Sequence, residues 1–300
     1  MGKMKETDLA MLMNNATAID YFDRLKLIAI SLFKWKNLDK ICGFGAEAFL
    51  ENSLFEFGRA CFIKDDKLGY MVLNVNPSDK LNNYRLPTKV EAYSIEYHKQ
   101  FKLDDIVYIK NNKLEKPTRE TINLFSYRLY ESERIIDVNL KAQKTPILLE
   151  GDEKSMLTLR NLYMQYDGNV PFIFGNKNFD LTNKINSVKT DAPYIVDKIE
   201  LHKHEIWNEA LTFLGINNAN TDKKERLITN EVDSNNELIS YYLSCFYDTR
   251  KQACDMINEK FLSDKELKIE LELNKEVVEL LKEYNISIEG DEFGEIYNNN

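Results

Sequence analysis

The spacing of apolar residues changes several times along the chain. Between Ile19 and Trp35, the residues Phe22, Leu25, Ile28, Leu32 and Trp35 recur at three- and four-residue steps, which gathers side chains on one face of a helix. From Phe57 to Lys110 the runs shorten. Cys61-Phe62-Ile63, Tyr70-Met71-Val72-Leu73, Val90 to Ile95 and Ile106 to Ile109 are β-branched or aromatic, and Asp65-Asp66, Asn76-Pro77, Asn82-Asn83 and Asn111-Asn112 punctuate them. Strands at such close spacing predict a small barrel or curled sheet.

Pro117-Thr118-Arg119-Glu120 opens a helix predicted to run to about Lys144, roughly 40 Å long at about 1.5 Å per residue. Its apolar positions fall into two groups. Ile122, Phe125, Leu129, Ile136 and Leu140 share one side, while Leu124, Tyr127, Ile135 and Val138 gather nearly opposite. A surface helix of a monomer needs one stripe. Two stripes fit either a helix deep in a bundle or one standing between neighbouring subunits. Residues 146–189 return to short strand-like pieces, Ile147-Leu148-Leu149 and Val170 to Phe174, around a helical turn near Leu159 to Tyr166.

A second long helix is expected from Asp191, a good N-cap with Pro193 in the first turn, to Gly215, a good C′ residue. Ile195, Val196, Ile199, Ile206, Trp207, Ala210, Phe213 and Leu214 form its apolar face, and Lys198, Glu205, Asn208, Glu209 and Thr212 its polar face. Residues 216–237 are rich in Asn, Asp and Lys without a sustained period and read as a long loop, a kind usually functional or disordered. Helix is expected again over Leu238 to Phe261, a half-buried strand over Lys268 to Leu273, and a short helix over Glu276 to Tyr284 before an acidic, Asn-ending tail. No internal repeat is evident.

Composition narrows the class. At 300 residues the chain has room for one or two domains, and its 11 Gly and 6 Pro are few for that length, consistent with long helices. Forty Lys+Arg against 49 Asp+Glu leave a net charge of −9, which argues against wrapping DNA on a basic face. The four cysteines, Cys42, Cys61, Cys245 and Cys254, have neither zinc spacing nor disulfide density and read as reduced structural thiols. The N-terminus shows no secretory pattern, Glu6 stands where a myristoylation signal wants Ser or Thr, and Lys26 interrupts the most apolar stretch, Leu25 to Phe33. A chain without membrane attachment is expected.

Catalytic patterns are missing too. Gly43-Phe44-Gly45 lacks the third glycine of a dinucleotide loop and reads as a turn, and no phosphate-binding lysine loop exists. His202 and His204 lie two apart on a predicted helix, on different faces, and His98 stands alone. Asp104-Asp105 has the residue type for two-metal chemistry, but in a chain this acidic an exposed pair is the simpler reading.

Four stretches carry a resemblance. They are Ala142-Gln143-Lys144-Thr145-Pro146-Ile147-Leu148; Tyr163-Met164-Gln165-Tyr166-Asp167-Gly168-Asn169-Val170-Pro171; Lys189 to Lys198 (KTDAPYIVDK); and Trp207-Asn208-Glu209 through Phe213-Leu214-Gly215-Ile216 to Val232. Together they resemble the upper collar, or portal (head–tail connector), proteins of small short-tailed double-stranded-DNA phages that prime replication with a terminal protein. The likeness is dense over 117–237 and thinner but collinear before, through Leu32 to Leu38.

The resemblance implies an α+β fold, mainly α: long tilted stem helices, a small SH3-like β wing and a small α/β clip, assembled as a ring. It assigns 1–116 to the wing, 117–145 to a stem helix, 146–190 to the clip and 191–215 to a second stem helix. Residues 216–237 become a tunnel loop, and 238–300 a wing helix and C-terminal crown. The implied protein is no enzyme and needs no cofactor or metal. Twelve copies would surround a channel at one capsid vertex, conduct double-stranded DNA in packaging and ejection, nucleate prohead assembly and join head to tail. Its partners would be further copies of itself, capsid and scaffolding proteins, a packaging ATPase and a lower collar or tail protein. It would sit in the virion after assembly in the host cytoplasm.

The lysine rings of the family correspond to Lys189 and Lys198, and the loop cations Lys223, Lys224 and Arg226 would meet DNA. An acidic bore that repels DNA, with sparse cationic rings, suits sliding rather than gripping. The arginine-rich N-terminus with which such relatives contact a packaging RNA is reduced to Lys3 and Lys5 beside Glu6 and Asp8, which counts against RNA binding by this arm. The competing readings are a DNA-processing or accessory DNA-binding phage protein without a ring, and a helical scaffold that touches no nucleic acid.

Overall fold

The computed structural model describes residues 6–78, 80–84, 86–143, 147–149, 185–187, 193–216 and 229–274. The chain divides into a larger unit, 1–130 with 204–300, and a smaller one, 131–203. Mixed helix and sheet with helix in the majority is the observed class. The helices are α1 (Glu6–Ser31), α2 (Leu38–Cys42), α3 (Ala46–Phe57), α4 (Thr118–Gln143), α5 (Val196–Phe213) and α6 (Thr229–Phe261). The strands are β1 (Phe33–Lys36), β2 (Arg59–Asp65), β3 (Gly69–Pro77), β4 (Lys89–Tyr93), β5 (His98–Lys102), β6 (Val107–Lys110), β7 (Ile147–Leu149), β8 (Ile185–Ser187) and β9 (Glu270–Leu273).

In the larger unit, β2 to β6 form one antiparallel sheet in the order β5-β4-β3-β2-β6. Successive side chains on a strand point to opposite faces, and in this sheet both faces are covered. Ala60, Phe62, Val72, Val107 and Ile109 join the helical core with Leu25, Leu54, Ile122, Phe125 and Leu129. Cys61, Ile63, Leu73, Val75, Val90, Ala92 and Ile106 make a second core on the other side. The expected strands are therefore present, and β5 joins them although its sequence, HKQFK, offers one apolar residue.

Several expected helix boundaries move. The helix predicted over Ile19 to Trp35 is α1, which starts earlier and ends at Ser31. Phe33-Lys34-Trp35-Lys36 is instead a strand whose side chains alternate buried and exposed. It pairs with β9 in the register Phe33↔Leu273, Lys34↔Glu272, Trp35↔Leu271, Lys36↔Glu270, which sets lysine against glutamate on one face. The long loop expected over 216–237 is also shorter, because α6 begins at Thr229.

A buried polar network ties these elements together. Arg250 of α6 and Glu51 of α3 are each 3% exposed. All five guanidinium N–H groups of Arg250 have acceptors. Nε and Nη2 donate to Glu51 at 2.9 and 2.8 Å, Nη1 to the carbonyls of Asn111 and Phe246, and Nη2 also to Asn111 Oδ1 at 3.1 Å. Trp35 Nε1 donates to Glu51 Oε1 at 2.7 Å. The Asn111 amide donates in turn to Thr118 Oγ1 at 2.8 Å, which reaches the first residue of α4. A bidentate, fully bonded pair of this kind meets the condition under which buried charge is tolerated.

The end of α5 explains itself in the sequence. Gly215 has φ 79°, and Ile216 N donates to Leu211 O at 2.9 Å, closing the helix as a left-handed glycine cap. A Cβ at Gly215 would lie 2.6 Å from Leu243 Cβ and 2.7 Å from its Cα, so α6 can pass only over a glycine.

Within the smaller unit, Asn139 of α4 acts on the chain before α5. Its amide donates to Pro193 O at 2.9 Å, and Ile195 N donates back to its Oδ1 at 3.2 Å. Held in this way, residues 193–195 stay non-helical and α5 begins at Val196, later than the expected cap. Asp191 lies outside the described residues. Lys203 bridges Glu133 and Glu200 at 2.9 and 2.8 Å, and β7 pairs with β8. The expected strand at Val170 to Phe174, the turn near Leu159 to Tyr166 and the helix over Glu276 to Tyr284 also lie outside the described residues.

Candidate channel and subunit surfaces

Helix α4 has its two stripes. On one side Ile122, Phe125, Leu129 and Ile136 are buried. On the other, Leu124 and Tyr127 are each 57% exposed, Ile135 44% and Val138 65%. Leu140, on the same side as the buried set by its spacing, lies in the last turn of the helix and is 47% exposed. Side chains of this size cost free energy in water, about 25 cal/mol per Å² of apolar surface.

Each unit carries a hollow, the one in the smaller unit beside this stripe. In the smaller unit an open groove of about 380 Å³ is lined by Arg134, Ile135, Val138, Asn139, Ala142 and Ile195. In the larger unit a groove of about 560 Å³ runs between α1 and the start of α4, with Ile19, Phe22 and Pro117 as apolar wall and Glu56, Arg119 and Glu120 as charged rim. Glu56 is shared by Lys26 at 2.7 Å and Arg119 at 3.0 Å, which fixes that rim.

Of the five cationic site residues, Lys198 is described. It stands on the first turn of α5, exposed, beside exposed Asp197. Its ammonium is in no ion pair among the described residues, whereas Lys203, five positions on, is held between two glutamates. Glu205 and Glu209 are exposed as expected, and Arg128 reaches Glu209 at 2.9 Å. The expected face is thus polar, with Glu205 and Glu209 its acidic members and Lys198 a cation in no ion pair among the described residues. Lys189, Lys223, Lys224 and Arg226 lie outside the described residues.

Other chemistry is easily bounded. Gly43 and Gly45 (φ 107° and 89°) form the turn between α2 and α3. Among the described residues no group of His, Cys, Asp and Glu is arranged to hold a metal ion, and no helix is long and apolar enough to cross a membrane. All four cysteines are free thiols. Burial pushes the Cys61 and Cys42 thiols up to about 12 and Cys254 to about 11, the opposite of an activated nucleophile. Sequence reasoning missed the Glu51–Arg250 pair, whose members are 199 positions apart with no local signal to join them.

The chain matches the family profile described as Phage Connector (GP10) over residues 3–278. It belongs to the phage connector family. Connectors are structural proteins, and this chain is one of them rather than an enzyme. Among solved structures it is similar to a chain in the portal and tail of native bacteriophage P68, with 14% identity, 95% of this chain and 97% of that one covered, and a TM-score of 0.47. It is also similar to a chain in the neck of the native GTA particle (12% identity, 88% and 81% covered, TM-score 0.45). A third likeness is to an HK97-family phage portal protein from Corynebacterium diphtheriae (9% identity, 94% and 99% covered, TM-score 0.39).

Proposed function

We propose that the protein is the portal of a double-stranded-DNA phage: a ring of twelve copies at one capsid vertex that passes DNA inward in packaging and outward in ejection, nucleates prohead assembly and joins head to tail. The observation that carries this reading is the connector-family match over residues 3–278. The exposed stripe of α4 supports it, because a closed ring of identical chains needs complementary apolar surfaces on each copy. Residues 1–116 serve as wing, 117–145 and 191–215 as stem, 146–190 as clip, 216–237 as tunnel loop and 238–300 as wing helix and crown. In this ring each chain contributes −9, so the wall is acidic and DNA slides without being gripped. Lys198 and Lys189 supply the guiding rings, and Lys223, Lys224 and Arg226 hold packaged DNA against leakage. The ring meets capsid and scaffolding proteins, a packaging ATPase and a lower collar protein, and resides in the virion once assembled in the host cytoplasm.

Native mass spectrometry tests the ring. Twelve chains of 35.2 kDa give a species near 422 kDa, and Val138→Asp with Leu124→Asp should shift it toward monomer with helix content kept. A clean monomer of the unaltered protein at micromolar concentration favours the DNA-processing or accessory reading instead. With the ring intact, Lys189→Ala and Lys198→Ala together should change DNA retention or the ionic selectivity of the pore; unchanged values remove the lysines from the mechanism.

A further inference from the structure

The β4–β5 hairpin carries a charge arrangement that folding does not require. Ser94 N donates to Tyr97 O at 2.8 Å, and Leu103 N to Thr88 O at 3.4 Å. Hydrogen-bonded pairs alternate along an antiparallel ladder, so the register Tyr93↔His98, Glu91↔Gln100, Lys89↔Lys102 contains the non-hydrogen-bonded pairs. Two consequences follow from this alternation. The N–H and C=O groups of His98, Gln100 and Lys102 point away from β4, along the outer edge of β5, where no strand pairs among the described residues. Lys89 and Lys102 also meet at the closer of the two cross-strand spacings, where like charges repel.

Lys80 joins them. Its carbonyl accepts Thr88 N at 2.9 Å and Thr88 Oγ1 at 3.1 Å, which places its backbone beside Thr88, the residue before Lys89. All three lysines are exposed, and among the described residues none is in an ion pair. Glu91, on the same face, lies 3.9 Å from His98 Nδ1. In a chain of net charge −9, Lys89 and Lys102 face each other at one end of an open edge with Lys80 close by along the backbone, and none of the three has an ion-pair partner among the described residues. Lysine on an edge strand guards against unwanted pairing. That accounts for Lys102, but not for Lys89 on the inner strand or for Lys80.

We propose that β5 is a docking edge for an extended, acidic segment of a partner protein, which adds to the sheet as a further strand. Its main chain bonds the outward groups of His98, Gln100 and Lys102, and its carboxylates settle at the Lys80–Lys89–Lys102 corner. Duplex DNA would satisfy the lysines but offers nothing to the strand edge, which is why a peptide fits better.

The test uses the full chain and a fluorescein-labelled decapeptide of alternating Glu and Val, followed by anisotropy. We expect micromolar binding that weakens with salt and no binding of the Lys/Val counterpart. Lys89→Glu with Lys102→Glu should weaken binding at least about tenfold. Gln100→Pro removes an outward N–H without touching the ladder to β4 and should do the same with the circular dichroism spectrum unchanged. A backbone N-methylated Glu/Val peptide, which leaves the protein unaltered, should also fail to bind. Full-strength binding of the N-methylated peptide, displacement of the Glu/Val peptide by 20-base-pair duplex DNA at equal charge, indifference to the lysine changes, or no binding to the unaltered chain would each overturn the proposal.

Discussion

Arg250→Met is the most informative single change to the larger unit. The guanidinium and the Glu51 carboxylate are each 3% exposed and bonded through two N–H···O contacts of 2.9 and 2.8 Å. Removing the cation leaves a buried carboxylate with the Trp35 indole as its remaining donor, at 2.7 Å, and strips donors from Asn111 and Phe246. Breaking one side of such a pair costs about 3–5 kcal/mol, a large share of the roughly 5–15 kcal/mol that holds a domain folded. Glu51→Leu alone strands the guanidinium and should cost a similar amount. The double change removes both charges, so the remaining penalty is chiefly a Trp35 N–H without acceptor, about 1–3 kcal/mol. The double-mutant cycle should therefore show a coupling of about 3 kcal/mol or more. Urea unfolding followed by tryptophan fluorescence, at one fixed protein concentration because assembly adds stability by mass action, measures all four corners. Additive singles, or an Arg250→Met loss under about 1 kcal/mol, would refute this account of the network.

Two further outcomes are expected. Gly215→Ala forces a side chain into a left-handed conformation and against Leu243 at 2.6 Å, so unfolding experiments should show a loss of about 2–4 kcal/mol. Asp65 accepts the backbone N–H of Lys67, the Tyr97 hydroxyl, the Leu68 N–H and the Lys99 ammonium, and these bonds hold its carboxyl down to about 2. A depressed carboxyl stabilises the fold above its unfolded value near 4 and loses that contribution as pH falls toward 2. The urea midpoint of Asp65→Asn should accordingly vary less between about pH 4 and pH 2 than that of the unaltered protein.

Local chemistry made much of this fold legible. β2, β3, β4 and β6 follow from short β-branched and aromatic runs between turn residues, and α4 from Pro117 and a sustained helical period. Gly215 marked a helix end because a left-handed cap admits little else. What stayed hidden depends on distant partners. Phe33 and Trp35 suit a helical period as well as an alternating one, and β9, more than 230 positions later, decides between them. The start of α5 is set by Asn139, 54 positions before Pro193. β5 has too few apolar residues to signal itself and exists because β4 offers it an edge. For the candidate surfaces, the outward stripe of α4 was readable from its period. The exposure of Lys198 was readable from the polar face of α5, but its lack of a counter-ion among the described residues was not, since Lys203 on the same helix has two.

The bonds that run from Arg250 through Asn111 to Thr118 have a mechanical meaning. The foot of α4 is clamped to α6 and to the end of β6 by short, directed contacts that water cannot replace one at a time. Tilting that foot means tearing the clamp open as a whole, so load applied to the helix is delivered to the sheet with little slack.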